Sequence, residues 1–348
     1  MKHISRSELD DQTLETVGLT YVSDAEPGIL RQRRGLGFCY RLPSGRLLRD
    51  PEIRARIQAL GLPPAYKDVW ICLDPAGHLQ ATGFDQRGRK QYRYHPEWQT
   101  WRSSLKYQDL ATFAHTLPRI RRRIAADLDH PVDDAHFLLA GLTALLDATH
   151  LRIGNRAYAR ENRTYGATTL LKRHLRFGTD GISLRFIAKG GKRVQRQLKH
   201  PRLQRILEEI ADLPGRELFS WLDDEGDVRR IDSGRLNAYL RQISGGVISA
   251  KTFRTWGGTL AAFKAAQAAL LQDQTPTIKT MCEAAAEALH NTPAICRTSY
   301  VHPLVLALST RTTSEERSAF VAELKTIRPQ PGLRKDEARL RAFLEPAA

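Results

Sequence analysis

Apolar and polar residues alternate with a period of two in three short runs near the middle of the chain: "HLRF" (174–177), "ISLRFIA" (182–188) and "RVQRQL" (193–198). That period sends successive side chains to opposite faces of an extended strand. "GTDG" links the first run to the second. "KGGK" links the second to the third, with Gly190 and Gly191 as the two central residues of a primed-type turn. The pattern predicts a three-stranded meander. Around it the sequence reads as helical, with helices over 103–116, 133–149, 201–212, 232–243, 255–272 and 276–289. A last helix in "RKDEARLRAFL" turns Leu340, Phe343 and Leu344 inward. The longest apolar stretch, "FLLAGLTALL" (137–146), is too short to span a bilayer and reads as a buried helix.

Ahead of residue 98 the pattern is strand-rich. "GFCYRL" (37–42), "DVWICL" (68–73) and "HLQATGF" (78–84) are predicted strands, the last two joined by the turn "DPAG" (74–77). A helix over 50–60 is capped by Asp50 and has Pro51 in its first turn. The expected class is α+β: a small, mainly β lobe over 1–98, then a mostly helical domain over 99–348 that carries a small antiparallel sheet. "HPEWQTWRSSL", around Trp98 and Trp101, reads as the connection between two lobes able to close as a clamp.

Composition narrows the partners. The 348 residues include 54 Lys+Arg against 38 Asp+Glu, a net charge of +16, which points to a polyanion and first to nucleic acid. Cys39, Cys72, Cys282 and Cys296 lie far apart with no CxxC, so reduced thiols in the cytosol are expected rather than a zinc site. No GxxxxGK[ST] and no HExxH occur, so nothing supports chemistry driven by ATP or run by zinc. The amino terminus, "MKHISRSELDDQTLE", has no apolar signal core. The expectation is a cytoplasmic, nucleoid-associated protein without a membrane partner.

Candidate chemistry begins in "NTPAICRTSYVHP". Thr292 is a good N-cap, Pro293 suits the first helical position, Tyr300 follows about two turns in, and His302-Pro303 closes the helix. A lone tyrosine there ordinarily packs half-buried. It can also be a nucleophile, but a phenol titrates near pH 10 and needs cations to lower its pKa and hold an anionic electrophile. Structured cations are present. Arg152 emerges at a corner in "LRIGNRAY", Lys189 stands at a hairpin tip, and "KTFRTWGGT" sets Lys251 and Arg254 three residues apart, on one face if helical.

In the order R-I-G … K … K-x-x-R-T-W-G … N-T-P … S-Y, the chain resembles the type IB DNA topoisomerases, specifically the poxvirus-like group that also occurs in bacteria. "PPAYKDVWICLDPAGHLQATGFDQRGRKQYRYHP" (63–96) resembles the amino-terminal domain of the bacterial members, and the likeness runs roughly from residue 28 to residue 303. The resemblance implies relaxation of positive and negative supercoils by a monomer on double-stranded DNA. One strand is cleaved through a 3′-phosphotyrosyl intermediate and religated, with no ATP, metal or other cofactor. Tyr300 matches the nucleophile, Arg152 and Arg254 the two arginines that stabilise the transition state, and Lys189 the general acid to the 5′-oxygen; Lys251 can join that relay. Asn291 stands nine residues before Tyr300, where viral members carry histidine, and is assigned as a neutral donor, with His290 as the competing candidate. Gln91, Tyr92 and Tyr94 match groove-contacting positions, and Tyr158 matches a DNA-contacting tyrosine. "RQRRG" (31–35) and "RIRRR" (119–123) are read as general electrostatics.

Three other readings compete. A tyrosine recombinase shares the fold and nucleophile, but its second arginine usually sits in a His-x-x-Arg box. A non-catalytic DNA-binding protein would form no covalent adduct. A metal-dependent nuclease needs a carboxylate cluster, and none stands at these motifs.

Overall fold

The computed structural model describes Leu14 and residues 17–345 apart from 224 and 247, and leaves out the side chains of 104, 106, 108 and 109. The segment read for a signal core lies outside the described residues but for Leu14. The chain divides into two compact units, Met1–Lys106 and Tyr107–Ala348. No helix among the described residues is long and apolar enough to cross a membrane.

The first unit is an antiparallel five-stranded sheet in the order β2-β1-β3-β4-β5: β1 Ile29–Arg34, β2 Gly37–Arg41, β3 Lys67–Ile71, β4 Leu79–Phe84 and β5 Lys90–Tyr94. Strand alternation gives it two apolar faces. Val69 and Ile71 pack with Ile29, Leu48, Ile57 and Ala81 on one side; Trp70 and Cys72 pack with Leu79, Tyr94 and Trp98 on the other. Helix α1 (Pro51–Ala59) starts where expected, with the Asp50 carboxylate accepting from Glu52 N and Ile53 N. Strand β1 went unrecognised because "ILRQRR" buries only Ile29 and has no alternation to read. Its Arg31 is not a free cation: it donates to the carbonyls of Leu62, Pro63 and Tyr66.

Helix α2 (Pro96–Asp127) contains the unit boundary and continues past Pro118. The segment read as a connection is its first part, and Trp98 is buried in the first unit's core. A proline inside a helix costs about 3 kcal/mol. Here Leu110, Phe113, Leu117, Ile120 and Ile124 form a buried stripe on both sides of it, and each such side chain returns about 1.5–3 kcal/mol. Two arginines of "RIRRR" are likewise paired. Arg121 forks onto Asp147 and the buried Glu337, and Arg123 pairs with Asp127.

The second unit continues with α3 (Ala135–Thr149), α4 (Arg156–Asn162), the meander β6 (Leu175–Gly178), β7 (Gly181–Ala188) and β8 (Lys192–Leu198), α5 (Pro201–Asp212), a small hairpin β9 (Ser220–Leu222) and β10 (Val228–Arg230), and α6 (Ser233–Ser244). Then come α7 (Ala250–Leu271), α8 (Ile278–Leu289), α9 (Pro293–Ser299), α10 (Pro303–Ala307), α11 (Ser314–Thr326) and α12 (Lys335–Leu344). The class is α+β, and the meander is antiparallel in the order β6-β7-β8. Its second turn differs from the primed type expected. Ala188 pairs with Lys192, so three residues form the loop, and Gly191 N donates to Ala188 O with Lys189 and Gly190 central. Leu340 and Leu344 are buried and Phe343 partly so, which seats α12 in the core.

Two imidazoles of this unit, His150 and His174, are pushed down to about 4, chiefly by burial; Asp147 opposes at His150, and Arg173 adds to the effect at His174. The fold keeps both neutral, whereas in the unfolded chain they protonate near pH 6.5. Their contribution to stability is present above that value and is lost as pH falls through 4. Melting temperature should therefore drop steeply between pH 6.5 and 4, and replacing both histidines with glutamine should flatten that decline.

Candidate active site

Helix α7 is hydrophobic almost all round its first half: every residue from Phe253 to Thr259 is buried. Such a helix is core, and Arg254 is carried into the core with it, 4% exposed. Its guanidinium pairs with no carboxylate among the described residues. Nη1 donates to His150 O at 2.6 Å and Nη2 to Leu289 O at 3.0 Å, while Nε is buried without a partner. Burial pushes the Arg254 pKa below its ordinary value, the charge of Arg152 adds to this, and Tyr300 opposes. An uncompensated buried cation is costly and calls for an anion.

Tyr300 supplies the other half. It is not within a helix, as the spacing suggested, but caps the C-terminus of α9, its N–H donating to Cys296 O at 2.9 Å. Its backbone is tied to α7: Thr259 Oγ1 donates to Tyr300 O at 3.1 Å and accepts from His302 N at 3.1 Å. The close approach needs glycine at 258, where a Cβ would lie 2.9 Å from Tyr300 O. The ring lies 5.1 Å beneath the Arg254 guanidinium, and Arg152 Nη1 donates to Tyr300 Oη at 3.2 Å. Burial by itself raises the phenol pKa; Arg254 and Arg152 outweigh it, and the net direction is down.

Arg152 reaches this point from a tight corner after α3. Ala167 N donates to Arg152 O at 2.7 Å and Thr168 N to Ile153 O at 2.8 Å. Gly166 lies against the same corner, where a Cβ would fall 2.5 Å from Arg152 O. The corner is therefore rigid backbone on backbone.

Arg152, Lys189, Arg254 and Tyr300 line one cavity of about 300 Å³ together with Lys251 and Tyr158. Lys189 stands exposed at the β7–β8 turn, and Lys251, exposed in the first turn of α7, shares the wall with Arg254 as helical spacing requires. Tyr158 sits on α4, whose start is capped by Asn155 accepting from Tyr158 N. No carboxylate lines this cavity among the described residues. A group of three acids, Asp223, Glu225 and Asp227, lies instead in the β9–β10 loop.

Asn291 is not part of that lining. Its Nδ2 is buried with no hydrogen-bond partner among the described residues. The imidazole of His290 is engaged, its Nε2 accepting from Arg196 Nε at 2.8 Å. In the first unit, Gln91 is held by Asp85, donating to Oδ2 at 3.0 Å. Tyr92 stacks on Tyr94 with centroids 6.1 Å apart. Successive strand residues face opposite ways, so Gln91 points away from Tyr92 and Tyr94 on β5, an edge strand of the sheet. Tyr94 is 8% exposed and belongs to the core around Trp98, which corrects its assignment as a DNA contact.

Sequence reasoning missed His150, Thr259 and Gly258, which act by position. The doubled glycine in "RTWGGT" was the available signal: small residues inside a buried helix mark a close approach.

The family model for the catalytic core of eukaryotic DNA topoisomerase I matches residues 95–324, and the model for the N-terminal domain of bacterial DNA topoisomerase IB matches residues 37–85. A DNA topoisomerase 1B of Acanthamoeba polyphaga mimivirus is 28% identical over 293 residues, covering 81% of this chain and 87% of the viral protein. The DNA topoisomerase 1B of Vaccinia virus (strain Copenhagen) is 25% identical over 124 residues, 36% of this chain and 39% of its own.

Proposed function

The chain belongs to the type IB DNA topoisomerases, and from that premise we propose that it relaxes supercoiled DNA of either sign through a 3′-phosphotyrosyl intermediate on Tyr300. The observation that carries this reading is a phenol whose hydroxyl is in hydrogen-bond contact with Arg152 and whose ring lies under Arg254, in a cavity lined, among the described residues, by four cations and no acid.

The Tyr300 oxygen attacks the backbone phosphorus, its proton passing to solvent water as the new O–P bond forms. Arg152 and Arg254 take the non-bridging oxygens, whose charge grows in the pentacoordinate transition state. The bond to the 5′-oxygen breaks, and Lys189 delivers a proton to it. One phosphoester bond replaces another, so bond energy is conserved and neither ATP nor metal is called for. After the free end swivels, the 5′-hydroxyl attacks the tyrosyl ester and each step reverses. Asn291 provides a neutral hydrogen bond to a phosphate oxygen. Gln91, Tyr92, Tyr158 and Lys251 contact DNA, and one chain contributes the whole site, so the enzyme works as a monomer.

The test is plasmid relaxation by purified protein in EDTA without ATP. Positively and negatively supercoiled plasmids should both relax fully, and raising the salt should slow the binding step, because phosphate contacts release counterions. A requirement for a divalent cation, or bound plasmid that stays supercoiled, would overturn the reading.

A further inference from the structure

Arg196 occupies an inward position of β8, on the same face as Val194 and Leu198. Burial lowers its pKa, and no carboxylate pairs with it among the described residues. Its guanidinium spreads instead over three acceptors. Nε donates to His290 Nε2 at 2.8 Å, Nη1 to Thr149 O and Nη2 to Ala288 O. Thr149 is the last residue of α3, and Ala288 lies in the last turn of α8. Both helices end on a histidine in the left-handed region, His150 at φ 54 and His290 at φ 48.

Arg254 grips the same two helix ends one residue further along, at His150 O and Leu289 O. Each of the two guanidiniums thus takes one carbonyl from each helix. A helix C-terminus carries partial negative charge and open carbonyls, so it favours a cation, and the planar fork of arginine suits two acceptors at once. From these two ends the chain leads directly to the residues of the site: Arg152 follows His150 by two positions, and Asn291 follows His290 by one.

We propose that Arg196 is a positioning residue. It fixes the ends of α3 and α8 relative to β8, and so sets Arg152, Arg254 and Asn291 about Tyr300 without touching the DNA. The inference rests on the transesterification reading above. It also assigns His290 a role distinct from chemistry: the neutral acceptor that completes the Arg196 fork.

Single-turnover attachment to a labelled duplex tests it, with rate constant, final amplitude and DNA affinity measured separately for wild type, Arg196→Lys and Arg196→Ala. Lysine offers one compact ammonium in place of the fork. Arg196→Lys should attach about tenfold more slowly, and Arg196→Ala about 10²-fold, the order that a displacement of about an ångström costs. Amplitude should stay full and Kd should stay within about twofold. A wild-type rate constant in Arg196→Lys would overturn the proposal. So would a reduced amplitude at an unchanged rate constant, which marks a smaller folded fraction and a purely structural residue, and so would failure of both variants to fold. Absence of adduct in wild type would instead refute the role of Tyr300, and that arm is read first.

Discussion

Tyr300→Phe should abolish covalent attachment to DNA and all relaxation, while duplex affinity changes by no more than about twofold, which is about 0.4 kcal/mol. The substitution removes only the hydroxyl. The seat of the ring does not depend on that oxygen: the backbone stays tied to Thr259, Gly258 still admits it, and the Arg254 guanidinium still lies over the ring. One hydrogen bond from Arg152 is lost, and a phosphate oxygen of bound DNA can replace it as acceptor. The measurement is the fraction of labelled strand that stays with protein after denaturation. Two other tyrosines, Tyr158 and Tyr165, line the same cavity. Adduct persisting in the Phe variant would move the nucleophile to one of them and undo the assignment.

Much of this site could be read from the chain because its parts are local. Thr292-Pro293 starts α9 by capping and a fixed proline φ, so the neighbourhood of Tyr300 follows from six or seven residues. The alternation in β7 and β8 places Lys189 at a turn without any knowledge of the rest. Long-range placement was not legible. Nothing near Arg196 in sequence shows that it meets Thr149 and Ala288, which lie 47 and 92 residues away. Nor does β5 advertise that Tyr94 turns into a core built with Trp98. Helix α11 escaped notice because its inner face includes Arg317, which bonds to Asp273 and Thr275, so an apolar period is hard to see. Local pattern sets elements and turns, whereas polar groups buried by partners distant in sequence break the pattern wherever they occur.

The two arginines that contact the phenol are held differently from Lys189, and that difference supports the separate roles proposed for them. Arg254 is immobilised by two carbonyls and Arg152 by a backbone-paired corner. Fixed charge of this kind stabilises a transition state without moving. Lys189 is exposed on a three-residue turn, and no ion pair holds it among the described residues. It is a single ammonium with protons to give, on a stem free to follow the departing oxygen.

Lys189→Ala should therefore slow strand cleavage by about 10²–10⁴, the usual worth of a positioned general acid, with DNA affinity nearly unchanged. The same variant should recover most of that loss on a substrate whose 5′ leaving group departs as a thiolate or phenolate, since such a group needs no proton. Arg254→Ala should also cleave slowly but gain no selective advantage from the better leaving group, because the charge it stabilises sits on the non-bridging oxygens in either substrate. The ratio of cleavage rates on the two substrates is thus the decisive number: large for Lys189→Ala, and close to the wild-type ratio for Arg254→Ala. Equal ratios for the two variants would mean that Lys189 acts through its charge alone, and that the proton reaching the 5′-oxygen comes from elsewhere, with Lys251 on the same cavity wall the first candidate.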